Sequence, residues 1–254
     1  MEISTSILNS SERVESVIKL NRTNTSYIHV DVMDGKFVED TQFSIKEIGA
    51  INRVSKYPMD VHLMVNDPIK YIEQLGDMNI SYITFHLEIK KDKNKIISKI
   101  REMGYKVGIS IKPDTDINEL LLYLSDVDMV LLMSVEPGRG GQKFLNGTVS
   151  RIKELKKIIN DSGYKIKIEV DGGINDKTIT KLAGVDIAVV GSYIVKSDNY
   201  YRQVKNLLKH FSKNNTLITN KSLKRQKFVS RLLVVLSFIL FLLFGLLFRF
   251  YMYN

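Results

Sequence analysis

No cysteine occurs among the 254 residues. That excludes a disulfide framework and a thiolate metal centre, so any metal held here must use histidine and carboxylate. Acidic residues are absent from 211–254, where seven basic ones stand: Lys213, Lys221, Lys224, Arg225, Lys227, Arg231 and Arg249. The net charge of +9 therefore belongs to the tail, because 1–210 carry 30 basic against 28 acidic residues. A near-neutral body with a basic tail points to a membrane surface and away from nucleic acid. The N-terminus, Met1–Leu8, lacks a basic stretch and a long apolar core, so no signal peptide is expected there.

What is present is organised around Tyr27-Ile-His-Val-Asp-Val-Met-Asp-Gly-Lys-Phe37. The alternation predicts a strand that runs into a glycine turn. Side chains two apart share a face, so His29, Asp31 and Met33 point one way and Ile28, Val30 and Val32 the other. Asp60-Val-His62-Leu-Met64 repeats the pattern, with Asp60, His62 and Met64 on one face. A strand with a polar inner face and an apolar back suits a barrel whose outside is covered by helices.

The remaining chain, to about residue 210, alternates short strand-like runs with longer helical ones. Strands are expected near Glu2–Leu8, Tyr27–Phe37, Met59–Val65, Ile80–Leu87, Tyr105–Ile111, Met129–Val135, Lys165–Val170 and Asp186–Val190. Helices are expected after Glu12 and near Ser44–Val54, after Pro68, and near Asp92–Met103, Ile117–Leu124, Thr148–Asn160, Asp176–Leu182 and Asn199–Phe211. Eight strand–helix units imply a closed α/β barrel, the (β/α)8 or TIM-barrel fold, over 1–211. Sites in that fold lie at the C-terminal ends of the strands.

His29, Asp31, His62 and Asp171 all fall there. Two imidazoles and two carboxylates suit one divalent cation such as Zn²⁺, Fe²⁺, Mn²⁺ or Co²⁺. Two carboxylates from different walls can also flank a substrate as base and acid; on its own, Asp171 would read as the cap of a tight Asp-Gly-Gly turn. Gly138, Gly140 and Gly141, then Gly172 and Gly173, then Gly191 with Ser192, leave backbone N–H groups free to face an anion. The last two loops form the usual phosphate site of the fold.

The runs Ser6-Ile7-Leu8, His29-Val-Asp31-Val-Met33-Asp34-Gly35-Lys-Phe37-Val38, Asp60-Val-His62-Leu-Met64-Val65, Glu136-Pro-Gly-Arg-Gly-Gly-Gln-Lys-Phe144, Val170-Asp-Gly-Gly-Ile-Asn175 and Gly191-Ser192, in order over about 1–195, resemble ribulose-phosphate 3-epimerase. The resemblance implies a metal-dependent barrel that interconverts D-ribulose 5-phosphate and D-xylulose 5-phosphate. It implies that His29, Asp31, His62 and Asp171 bind the metal and that Asp31 and Asp171 are also the acid/base pair. Ser6, His62, Gly138, Arg139, Gly140, Gly141, Gly172, Gly173, Gly191 and Ser192 would contact substrate. Met33, Met64 and Met133 would cap the reacting carbons, with core filling as the alternative role. Inverting C3 beside a ketone needs a proton removed from one face and returned to the other, with a Lewis acid stabilising the enediolate.

The sequence departs from that family's usual pattern at Glu39-Asp40, Asp116, Arg139 and Tyr193. None is a metal ligand or acid/base group, so the departures bear on substrate identity, and another ketose phosphate such as allulose 6-phosphate stays open. A related barrel decarboxylase would need Asp-x-Lys-x-x-Asp; the chain instead has Asp31-x-x-Asp34-x-Lys36. A non-catalytic, membrane-held sugar-phosphate sensor would be expected to lack an acid/base residue, and both are present. The sequence leaves homo-oligomer formation open.

Beyond the barrel, 212–230 read as a basic linker and 231–250 as a single transmembrane helix, built on the uncharged run Leu232–Phe248 between Arg231 and Arg249. The expectation is a single-pass membrane protein, anchored by its tail, with its catalytic domain in the cytoplasm, since the basic residues precede the apolar run.

Overall fold

Parallel strands with one apolar face need a second layer, and here the sheet closes on itself to provide the frame. In a computed structural model, residues 1–211 are described, and they form one compact unit. The strands are β1 (Glu2–Ser6), β2 (Tyr27–Asp34), β3 (Thr41–Gln42), β4 (Met59–Met64), β5 (Ile80–His86), β6 (Lys106–Ile111), β7 (Met129–Met133), β8 (Lys167–Asp171) and β9 (Ile187–Val190). Eight of them run parallel, and β1 pairs with both β9 and β2, which shuts the barrel. The short β3 is antiparallel to the end of β2.

Helices α1 (Arg13–Leu20), α2 (Ile45–Val54), α3 (Pro68–Leu75), α4 (Lys93–Glu102), α5 (Thr148–Ser162), α6 (Ser192–Val195) and α7 (200–211) follow the strands in turn. Local chemistry starts them. Ser44 and Glu47 make a reciprocal capping box on α2. The Asp92 carboxylate accepts the N–H groups of Asn94 and Lys95 at α4. Pro68 opens α3, where its missing N–H costs nothing. Between helices and sheet, Ile28, Val30, Val32, Val61 and Leu63 are fully buried. Each such side chain stabilises the fold by about 1.5–3 kcal/mol relative to exposure.

The barrel interior is layered. Tyr27, Tyr82, Met129 and Ile187 plug the N-terminal end as a separate apolar cluster. Above them lie buried polar groups, among them His29, Asp31, Asp60, His62, His86 and Glu169. A polar middle layer over an apolar plug places chemistry at the strand C-terminal ends.

Two expected helices are smaller than predicted. Over 176–182 only the 3-10 turn Ile179–Lys181 forms, although the Asn175 side chain accepts the N–H groups of Lys177 and Thr178 as an N-cap would. Ile117–Leu124 becomes the 3-10 turns Ile117–Leu122 and Leu124–Asp126. The membrane placement is also corrected. Among the described residues no helix is long and apolar enough to cross a membrane. The longest of them, α5, has 15 residues with buried and exposed positions mixed along it; at about 1.5 Å per residue it measures roughly 22 Å, short of a hydrocarbon core of roughly 30 Å. The stretches 212–230 and 231–250 lie outside the described residues.

Candidate active site

Parallel register brings the predicted side chains together. On β2 and β4, His29 is opposite Asp60, Asp31 opposite His62, and Met33 opposite Met64. On β7 and β8, Met133 is opposite Asp171. The result is a cluster in which His29, Asp31, His62 and Asp171 each offer a ligand atom within 4.8 Å of the others. His29 Nε2 lies 3.2 Å and His62 Nδ1 3.3 Å from Asp31 Oδ1. The Ser6 hydroxyl donates to Asp31 Oδ2 at 2.9 Å. The far nitrogen of His29, Nδ1, is 2.7 Å from Asp60 Oδ2, which also accepts from the Ser4 hydroxyl at 2.8 Å. A histidine oriented by a carboxylate behind it is the usual arrangement of a metal-bound imidazole. Two borderline nitrogens and two hard oxygens fit one divalent cation.

The protonation states are pushed apart. Burial alone would raise the Asp31 carboxyl, but His29 and His62 hold it well below the usual range. Asp171, pushed by burial and then by the charge of Asp31, rises to about 7. Burial would lower the His29 imidazolium, yet Asp31 and Asp60 outweigh it and keep the ring well above its ordinary value. Glu169 lies beneath, its carboxyl within 4.8 Å of the Asp60 and His29 ligand atoms. Burial and then Asp60 push it well up, so it sits there protonated.

Above the cluster opens a cavity of about 580 Å³. Every predicted site residue except His29 and His62 lines it, and those two lie buried beneath. Met33, Met64 and Met133 are buried at its base. The glycine loops form the rim. Gly173 has φ +64°, and a Cβ there would fall 2.3 Å from the Phe144 backbone nitrogen, so only glycine lets these two loops touch. Across the rim, Asn9 Nδ2 donates to Ser192 Oγ at 2.6 Å.

Arg139 lines the mouth, but its guanidinium bonds Glu39 Oε2 at 2.5 Å. Two of the sequence's departures from the family pattern thus pair with each other, across 100 positions of chain. Asn9, Asn175, Thr178 and Tyr193 also line the cavity and were not among the predicted substrate contacts. His86 and Glu88 were missed as well. Their signal was present: Thr84, His86 and Glu88 alternate with Phe85 and Leu87, a third copy of the pattern read at His29 and His62. His86 is fully buried and pushed down to about 4. Burial would raise Glu88, but His86, the Lys112 N–H and the Thr115 hydroxyl bring it down to about 2.

Fold and site together define a (β/α)8 barrel enzyme with a metal-capable centre under a glycine-rimmed mouth. The profile of the ribulose-phosphate 3 epimerase family matches residues 2–195. A ribulose-phosphate 3-epimerase of Methanocaldococcus jannaschii is 37% identical over 195 residues, which cover 76% of this chain and 82% of that one. The Helicobacter pylori enzyme of the same name is 36% identical, covering 77% and 88%. The chain belongs to the ribulose-phosphate 3-epimerase family, and it is an isomerase acting on a ketose phosphate. Solved structures share the fold. The 3-hexulose-6-phosphate synthase of Salmonella typhimurium has a TM-score of 0.64 at 18% identity, covering 84% of this chain and all of that one. N-(5'-phosphoribosyl)anthranilate isomerase of Pyrococcus furiosus has 0.58 at 17%, covering 84% and 99%.

Proposed function

We propose that the chain inverts C3 of D-ribulose 5-phosphate to give D-xylulose 5-phosphate, and the reverse. The observation that carries this reading is the convergence of Asp31 and Asp171, from β2 and β8, on one cluster whose ligand atoms lie within 4.8 Å of one another. Carboxylates on two walls of the barrel can serve opposite faces of one carbon. Asp31 takes the C3 proton from one face and Asp171 delivers one to the other; for the reverse reaction the roles exchange. Ser6 holds the Asp31 carboxylate by its Oδ2, which leaves Oδ1 turned to the cluster.

His29, Asp31, His62 and Asp171 would hold one divalent cation, whose chemistry is Lewis-acid stabilisation of the negative charge that develops on the substrate oxygens. Met33, Met64 and Met133 would exclude water from the reacting carbons with polarisable, apolar surface. The substrate phosphate would lie at the rim, against the backbone around Gly173, Gly191 and Ser192 and the 138–141 loop.

The test is direct. Purified full-length chain should convert D-ribulose 5-phosphate in a coupled assay, lose activity to a chelator and regain it with Fe²⁺, Mn²⁺, Co²⁺ or Zn²⁺. D-allulose 6-phosphate run in parallel decides the sugar. Full turnover by metal-stripped protein would refute the catalytic metal.

A further inference from the structure

Behind the metal-capable cluster runs a line of hydrogen bonds that begins at Glu88, just past the end of β5. Glu88 Oε1 accepts the Lys112 N–H at 2.6 Å and the Thr115 hydroxyl, and its Oε2 faces His86 Nδ1 at 3.0 Å. An ionised carboxylate has no proton to give, so His86 carries its hydrogen on Nδ1. His86 Nε2 is then a bare acceptor, and it lies 2.9 Å from His62 Nε2. A contact that short needs one hydrogen, and His62 supplies it. The free lone pair of His62 is therefore on Nδ1, the atom that faces Asp31 Oδ1 across 3.3 Å.

This leaves two acceptors, His62 Nδ1 and Asp31 Oδ1, facing at 3.3 Å, where His29 Nε2 also approaches Oδ1 at 3.2 Å; the opposite arrangement is worse. If His62 Nδ1 donated to Asp31, the His86 Nε2–H would point at His62, and two bare acceptors, His86 Nδ1 and Glu88 Oε2, would stand 3.0 Å apart. Asp31 has no need of that hydrogen, because Ser6 and His29 already serve its two oxygens. Water cannot substitute either. His62 and His86 are fully buried, their rings stack at 4.9 Å, and Phe37 closes over His86 at 4.6 Å.

We propose that His86 and Glu88 are positioning residues: they fix the tautomer of His62 so that its Nδ1 lone pair faces the cluster before any cation arrives. The inference rests on reading that cluster as a metal site, and its test separates the two. The chain has only four histidines, so long-range ¹H–¹⁵N spectra of metal-stripped, full-length protein resolve each ring. His62 should carry its hydrogen on Nε2 and His86 on Nδ1. His86→Leu should mix the His62 tautomers and weaken Zn²⁺ binding, measured by chelator competition, about 10- to 100-fold. His86→Gln, whose amide oxygen reaches the place of Nε2, should keep both the tautomer and an affinity within a few-fold of native. His62 protonated on Nδ1 in the native chain would overturn the proposal, as would unchanged Zn²⁺ affinity in His86→Leu. The expected tautomers in a chain that binds no Zn²⁺ would support the relay and refute the metal reading alone.

Discussion

Loading the cluster with a divalent cation should release nearly two protons at pH 6 and fewer at pH 8. In the metal-free site His29 is held in its protonated form by Asp31 and Asp60, and Asp171 titrates at about 7. At pH 6 a group of that pKa is about 90% protonated, and at pH 8 about 10%. A cation can bind only to the His29 lone pair and the Asp171 carboxylate, so both protons must leave. Asp31, held well below its usual range, contributes none, and His62, pushed down by burial, contributes less than a free imidazole. The logarithm of the Zn²⁺ affinity should accordingly rise by about two per pH unit near pH 6 and less steeply above pH 7. Calorimetry in buffers of different ionisation enthalpy counts the protons. Stability has the same origin. Asp171, raised from 3.8 to about 7 in the fold, stabilises the metal-free protein below pH 4, and that contribution is lost as pH rises to 7. His29, also raised, acts in the same direction above its ordinary value of 6.5. Metal-stripped protein should therefore lose Tm between pH 5 and pH 8, and loaded protein should not. Binding enthalpies independent of buffer at pH 6 would refute this account of the site's protonation.

Asp31→Asn and Asp171→Asn should each keep the fold, checked by circular dichroism, and lower kcat on the order of 10²-fold or more. The Arg139–Glu39 pair is 70% and 84% exposed, so it contributes at most about 1 kcal/mol to stability. Arg139→Phe should leave Tm nearly unchanged and alter KM more than kcat, read by steady-state kinetics across ketose phosphates. Gly173→Ala should cost about 1–3 kcal/mol by strain at positive φ and collision with Phe144; a urea midpoint that falls without a change of slope would show it.

Much of this was legible because the side-chain period of a strand is strict. Once His29 and Asp31 share a face, the register that pairs Asp31 with His62 follows from two strands of matching phase. Capping signals were equally local: Ser44 and Glu47, or Pro68, announce helix starts from the residues themselves. What escaped depends on distance in the chain. Asp60 was placed on the inner face, but its grip on His29 Nδ1 appears only when β2 and β4 are side by side. Arg139 read as a substrate contact because its partner, Glu39, sits on another loop. The 176–182 segment carries the N-cap signal of Asn175, yet the structure continues it only as the 3-10 turn Ile179–Lys181. The His86–Glu88 pair escaped for a different reason: it follows the same alternation as the ligand strands, yet its role emerges only where His86 meets His62.

The central claim is proton exchange at C3 between two carboxylates. Its most direct test is to incubate the full-length, metal-loaded chain with D-ribulose 5-phosphate in D₂O and follow the sugar carbons by NMR. The account predicts D-xylulose 5-phosphate with deuterium at C3 and nowhere else, a reaction that stops in Asp31→Asn and in Asp171→Asn. Xylulose 5-phosphate formed without deuterium at C3, or at the native rate in both variants, would contradict it.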